Sequence, residues 1–178
     1  LVLPLTYPFL PLQLSLLSAA TIGTPAFFLA LEPNHERVHG RFISNVLRAA
    51  LPGGITDFLL VFLAQGFCFS FDLSSDYLGT ISTIVVLTVG LMVLWGVCRP
   101  FNTWHWVLWG AMAVIGYGGA LLLAPWLGLV KLDLGGTLVL VALLGLAGPT
   151  LFGVSMLNTR IHGAVGEVQD KVRRRRES

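Results

Sequence analysis

Leu14-Ser15-Leu16-Leu17-Ser18-Ala19-Ala20-Thr21-Ile22-Gly23-Thr24-Pro25-Ala26-Phe27-Phe28-Leu29-Ala30-Leu31-Glu32-Pro33-Asn34 decides how this chain is read. The stretch is long enough to cross a bilayer as a helix, which takes about 20 apolar residues. It ends at Glu32-Pro33-Asn34, where proline and asparagine stop helices. Yet hydroxyls stand at Ser15, Ser18, Thr21 and Thr24, with Gly23 and Pro25 in the middle. Pro25 brings no N–H to the carbonyl of Thr21, and its ring crowds that carbonyl. Thr21 is therefore expected to offer a hydroxyl and a freed backbone carbonyl at one level, with Ser18 one turn away on the same face. Irregular backbone at this depth persists only where it is buried in protein or lines a cavity. The stretch is expected to form part of an ion path.

Composition agrees with a membrane location. Of 178 residues, 55% are hydrophobic and only 11% charged, against about 25% charged in soluble domains. The expected fold is all-α, a polytopic membrane helix bundle with five transmembrane helices at about 12–31, 51–71, 78–97, 104–125 and 135–157. Residues 1–11 read as the end of a preceding helix and an outer turn, broken by Pro4, Pro8 and Pro11. Residues 158–178 read as a basic tail. The chain opens at Leu without a secretory-signal pattern and is expected to be a piece of something longer.

Pro8-Phe9-Leu10-Pro11-Leu12-Gln13-Leu14, Ser18-Ala19-Ala20-Thr21-Ile22-Gly23-Thr24-Pro25-Ala26 and Leu29-Ala30-Leu31-Glu32-Pro33-Asn34 together resemble the sixth membrane helix of P-type cation-transporting ATPases. The likeness is to a bacterial, calcium-pump-like branch. Gly40-Arg41-Phe42 and Asn45-Val46-Leu47-Arg48-Ala49-Ala50-Leu51-Pro52-Gly53 fit the same branch. In the wider family this helix reads Asn-x-x-Thr-Asp-Gly-x-Pro, and its Asn, Thr and Asp bind ions. Here Ser18 stands at the Asn position, Thr21, Gly23 and Pro25 match, and Ile22 replaces the acid. The resemblance implies a carboxyl-terminal transport portion of an ATP-driven pump, with ATP and Mg2+ used elsewhere in the parent chain. It also implies Thr21 and Ser18 as ligands of the transported cation, and preceding helices and cytosolic ATPase domains as partners besides the lipid bilayer.

Charge placement gives an orientation independently. Of the eleven Lys and Arg residues, ten fall on one side: Arg37, Arg41, Arg48, Arg99, Arg160, Lys171 and four arginines at 173–176. Only Lys131 falls on the other. Basic residues near span ends stay cytosolic, so the first span descends to the cytosol and the tail is cytosolic. Trp95, Trp104, Trp106, Trp126, Tyr7 and Tyr77 flank span ends as an interfacial belt.

Other candidates carry plainer readings. Asp57 is the only acid inside a span, and intramembrane acids point to function; it also lies near a span end, within reach of water or Arg48. His35 and His39 share a helix spacing, but zinc needs three or four ligands, and solvated loop histidines are expected. Small residues such as Gly110, Gly116, Gly119, Gly145 and Gly153 suit close helix packing. Cys68 and Cys98 fall at span ends on opposite faces of the membrane, too far apart for a disulfide. Ile161, Val165, Val168 and Val172 keep a helical period ahead of the arginines, so the tail is expected to lie on anionic lipid. No Asp-Lys-Thr-Gly phosphorylation motif and no phosphate-cradling glycine loop occur in the sequence. Catalytic residues and nucleotide-binding sites are thus not expected within these residues, nor is a nucleic-acid partner. A non-enzymatic five-span scaffold or subunit without an ion path is the alternative reading.

Overall fold

The computed structural model describes residues 8–31, 42–71, 73–99 and 102–177, with side chains described from 50 onward in the second helix and as far as 160 in the last. The basic loop with His35, His39, Arg37 and Arg41 lies outside the described residues, as do the side chains of Arg48 and of the tail stripe and its arginines. Five helices are long and apolar enough to cross a membrane, and no strand occurs among the described residues. They are α1 (Pro11–Ala30), α2 (Phe42–Ser70), α3 (Ser75–Val97), α4 (Thr103–Leu122) and α5 (Leu134–Glu177). The protein is an all-α integral membrane helix bundle.

Two boundaries differ from the sequence expectation. Helix α2 begins at Phe42, so Pro52-Gly53-Gly54 lie inside it instead of opening it. The Pro52 ring is buried, and its carbonyl takes a hydrogen bond from the buried Thr56 hydroxyl at 2.7 Å. Helix α5 continues past residue 157 to Glu177 without a break, through Pro149. A proline costs one backbone bond, and packing around the two long helices outweighs that loss.

The packing hub is α3. One face presents Leu78, Ile81, Val85 and Val89 to α2 and α5, where Leu60, Ala64, Leu143 and Ala147 complete a buried cluster. The other presents Leu87, Leu91, Leu94 and Cys98 to Leu17 and Ala20 of α1 and Leu108 and Met112 of α4. Each set steps by three or four residues, the spacing of one helix face. The bundle is thus two half-cores that share α3. Cys68 and Cys98 are not joined by a disulfide and are buried in different half-cores.

Between helices the small residues matter at a few positions only. A Cβ on Gly116 of α4 would lie 2.7 Å from Leu87 Cδ1, so α3 and α4 meet there closer than any larger residue permits. Gly110, Gly145 and Gly153 have open space where a Cβ would go; among the described residues the expected close packing is not found at these three. Outward faces carry Phe58, Phe62, Leu121, Leu122, Leu134 and Phe152, all exposed. Lipid, not water, is the solvent that such apolar surface suits.

Both ends of the bundle are fastened. At one end Trp95 stands edge-to-face with Trp106 and Trp109, at 5.0 and 5.2 Å between ring centroids. Trp109 Nε1 donates to the Leu91 carbonyl at 2.9 Å. Phe28 of α1 meets Trp104 at the same end. At the other end the Gln13 side chain, fully buried, is the fastener. Its Oε1 accepts the Leu10 N–H at 3.0 Å, and its Nε2 donates to the Leu127 carbonyl at 2.7 Å. The 123–133 connection is further held by Val130 N–H to Thr80 Oγ1 at 3.0 Å, and Asp133 caps α5 through Gly136 N–H at 2.8 Å.

Candidate functional site

Helix α1 is not a regular helix. Residues Ala19–Gly23 form a π turn, in which Thr24 N–H bonds the carbonyl of Ala19, five residues back. Pro25 follows at once, and π turns inside α-helices recur at functional sites. The widened pairing shifts the register by one residue. In it the donor that Pro25 lacks stands opposite the Ala20 carbonyl, not opposite Thr21 as a regular helix would have it. The Thr21 hydroxyl donates to the Leu17 carbonyl at 2.7 Å. Its proton is committed, but its lone pairs are not.

Many membrane hydroxyls here do the same thing. Ser15, Thr56, Thr80, Thr88, Thr137, Thr150 and Thr159 each donate to the carbonyl four residues back. That habit, by itself, is structural. What distinguishes Thr21 is where it sits. Its methyl packs on Gly90 of α3 so tightly that a Cβ on Gly90 would lie 2.5 Å from Thr21 Cγ2. Gly90 thus fixes how deeply α1 seats against the hub.

Beside this contact a cavity of about 520 Å³ runs between α1 and α2, floored by Val86 and Gly90 of α3. Ser18, Thr21 and Ile22 line it from α1, and Asp57 and Gln65 from α2. The three sequence candidates, Ser18, Thr21 and Asp57, therefore meet in one groove. Phe9, Leu14, Phe58 and Phe62 supply its apolar walls. Ser18 is exposed along it, and Ile22, 67% exposed, also turns toward it. Asp57 is half-buried, and its Oδ1 is shielded from solvent with no hydrogen-bond partner among the described residues.

Gln65 and Gly90 escaped the sequence reading. Gln65 stands on the i, i+4, i+8 row with Asp57 and Val61, so a polar residue eight beyond the acid was a usable signal. Gly90, a single glycine in the run Val89-Gly90-Leu91, gave none until its neighbour was known. Among the described residues no group of three or more His, Cys, Asp or Glu side chains gathers. Any hard cation held here would rely on hydroxyls, carbonyls and a single carboxylate.

With this groove in view, the relatives are informative. The chain is 33% identical over 118 residues to the calcium-transporting ATPase CtpE of Mycolicibacterium smegmatis, a match covering 64% of this chain and 15% of that protein. It is 33% identical over 110 residues to the calcium-transporting ATPase CtpE of Mycobacterium tuberculosis, covering 59% of this chain and 14% of that protein. Over 104 residues it is 27% identical to a "Probable cation-transporting ATPase exp7" of Streptococcus pneumoniae, covering 58% of this chain and 13% of that protein. The chain is thus similar, over about three fifths of its length, to calcium- and cation-transporting ATPases. It spans about 15% of the length of the curated relatives it matches. No family model matches the chain, and no solved structure does.

Proposed function

We propose that the chain forms the carboxyl-terminal membrane portion of an ATP-driven P-type cation pump, with Thr21 and Ser18 of α1 as ligands of the transported ion. Calcium is the proposed cargo, supported by the names of the mycobacterial relatives. ATP and Mg2+ act in this reading on cytosolic domains of the parent protein, whose phosphorylation drives alternating access in the membrane. The proposed setting is a bacterial cell membrane with the tail in the cytosol, the side that ten of eleven basic residues favour.

The observation that carries this reading is the π turn at Ala19–Gly23, which opens beside a groove lined by Ser18 and Thr21. The chain's own residues do three things there. Pro25 removes a backbone donor and so sustains the wide turn. Gly90 seats Thr21 at a fixed depth. The Leu17 carbonyl holds the Thr21 proton, leaving the oxygen lone pairs for a cation. Calcium takes six to eight oxygens, so the two hydroxyls are a minority of any complete shell.

The test is cation-dependent phosphorylation of the full pump, titrated with calcium, magnesium and manganese. Thr21→Ala is expected to weaken the apparent affinity by about 1–3 kcal/mol for one lost polar contact, with protein levels retained. Unchanged ion dependence at normal levels would remove α1 as a ligand donor. Absence of any ion-dependent phosphorylation would leave the five-span scaffold.

A further inference from the structure

Asp57 has no structural task that the described residues reveal. A carboxylate inside a span is costly, and where one persists it pairs with something or lines a polar cavity. No ion pair reaches it among the described residues, and its Oδ1 is buried without a donor. Its side chain lines the same groove as Ser18 and Thr21.

The depths also agree. Counting about 1.5 Å per helical residue from the helix ends at Pro11, Ser70 and Ser75, Thr21 lies about 15 Å in, Asp57 about 20 Å and Gly90 about 22 Å. The contact between Thr21 and Gly90 ties two of the three together directly. Asp57 and Thr21 thus stand within one helical turn of the same level, on opposite walls of one groove. Ser18 lies about 10 Å in by the same count, so the oxygens form a short ladder along the groove, with the carboxylate at the Trp104 end.

From this geometry we infer that Asp57 of α2 is the carboxylate ligand of the transported divalent cation, facing Thr21 and Ser18 across the groove. The inference rests on the proposed pump function and adds to it the charged ligand that α1 lacks. A hard divalent cation is the occupant that fits. It prefers oxygen ligands and at least one carboxylate, and the groove offers two hydroxyl oxygens and one carboxylate. The remaining ligands would come from water or from other parts of the pump. Ile22 borders the same groove, so a carboxylate moved to position 22 would still reach it.

The experiment uses the full pump. Asp57→Asn keeps the size and hydrogen-bonding capacity of the side chain while removing its charge. It is expected to raise the calcium concentration for half-maximal phosphorylation by at least about tenfold, and Ile22→Asp added to it is expected to recover part of that loss. A second measurement needs no variant. A hydrophobic carbodiimide, which modifies intramembrane carboxyls, is applied to the unaltered pump with and without calcium, magnesium or manganese, and Asp57 is read by mass spectrometry. Modification in ion-free buffer with protection by one of these ions supports the assignment. Equal modification with and without every ion, including none at all, overturns it and leaves Asp57 as the partner of a basic side chain elsewhere in the pump. Thr21→Ala separates the two levels. If it shifts ion affinity while Asp57→Asn does not, only the Asp57 assignment falls; if neither shifts, the ligand reading of α1 falls as well.

Discussion

At Thr21 one side chain does two jobs that conflict in most helices. Its methyl fills the space above Gly90, and its hydroxyl ties down the Leu17 carbonyl beside the π turn. Gly90→Ala therefore tests the seat without touching an oxygen. The added methyl would overlap Thr21, and overpacking of this kind costs about 1–3 kcal/mol. The expected outcome is a lower melting temperature in detergent together with weaker ion affinity, read by thermal unfolding and ion-dependent phosphorylation. A contrasting substitution is Thr83→Val. The Thr83 hydroxyl is fully buried in α3 and has no partner among the described residues, so replacing it with an apolar group of the same shape should be neutral or stabilising. A loss of more than about 1 kcal/mol in the same thermal assay would show that the hydroxyl has a partner after all.

At the scale of elements, α1 was the most legible helix and also the most misjudged in detail. Its hydroxyls, Gly23 and Pro25 announced an irregular span, and the irregularity stands where they stand. The form it takes was not readable, because whether a missing donor yields a kink or a widened turn depends on what packs beside it. Pro25→Ala restores that donor. A regular ladder would turn the segment before it by about one residue, about 100° of a 3.6-residue turn, and carry Ser18 away from the groove. Weaker ion affinity with normal membrane insertion is the expected result, measured by phosphorylation against calcium. The proline at position 52 misled in the other direction. Pro52-Gly53-Gly54 carried every local mark of a helix start, yet α2 runs through it from Phe42, since Gly53 seats closely against Val93 of α3 and such packing offsets the one backbone bond the proline loses. At the far end, α5 continues into the basic tail. A synthetic 158–178 peptide is expected to gain helicity on anionic vesicles and lose it in high salt, which screens surface attraction; circular dichroism decides this.

For the whole molecule, the number of spans and their membrane character were plain from apolar run lengths. The hub was not. The runs of α3 and α5 are almost equally apolar, and only the two opposed sets on α3, Leu78-Ile81-Val85-Val89 and Leu87-Leu91-Leu94-Cys98, show which one has neighbours on both sides. For the same reason the groove was hidden. Ser18 and Thr21 could be paired from helical spacing, but Asp57 belongs to another helix, and nothing in a linear pattern fixes which faces of α1 and α2 turn toward each other. Orientation is testable at this scale. Single cysteines placed at positions 37–41 and in the tail should resist an impermeant thiol reagent in intact cells and react after permeabilisation, while one near Lys131 should react from outside. Native Cys68 and Cys98 are buried and give a low background. Labelling of the tail from outside would invert the layout.

The clasp between Gln13 and Leu127 joins residues 114 positions apart. A ribosome releases the first of these 114 residues before the second, so α1 emerges with the amide nitrogen at its outer end still awaiting the Leu127 carbonyl. Only when the last connection has emerged can the helix that borders the groove be latched. Chains halted before Leu127 should therefore show α1 open to protease at its outer end, and chains halted after α5 should not. The groove's front wall is made before α2 to α4 and latched only after them.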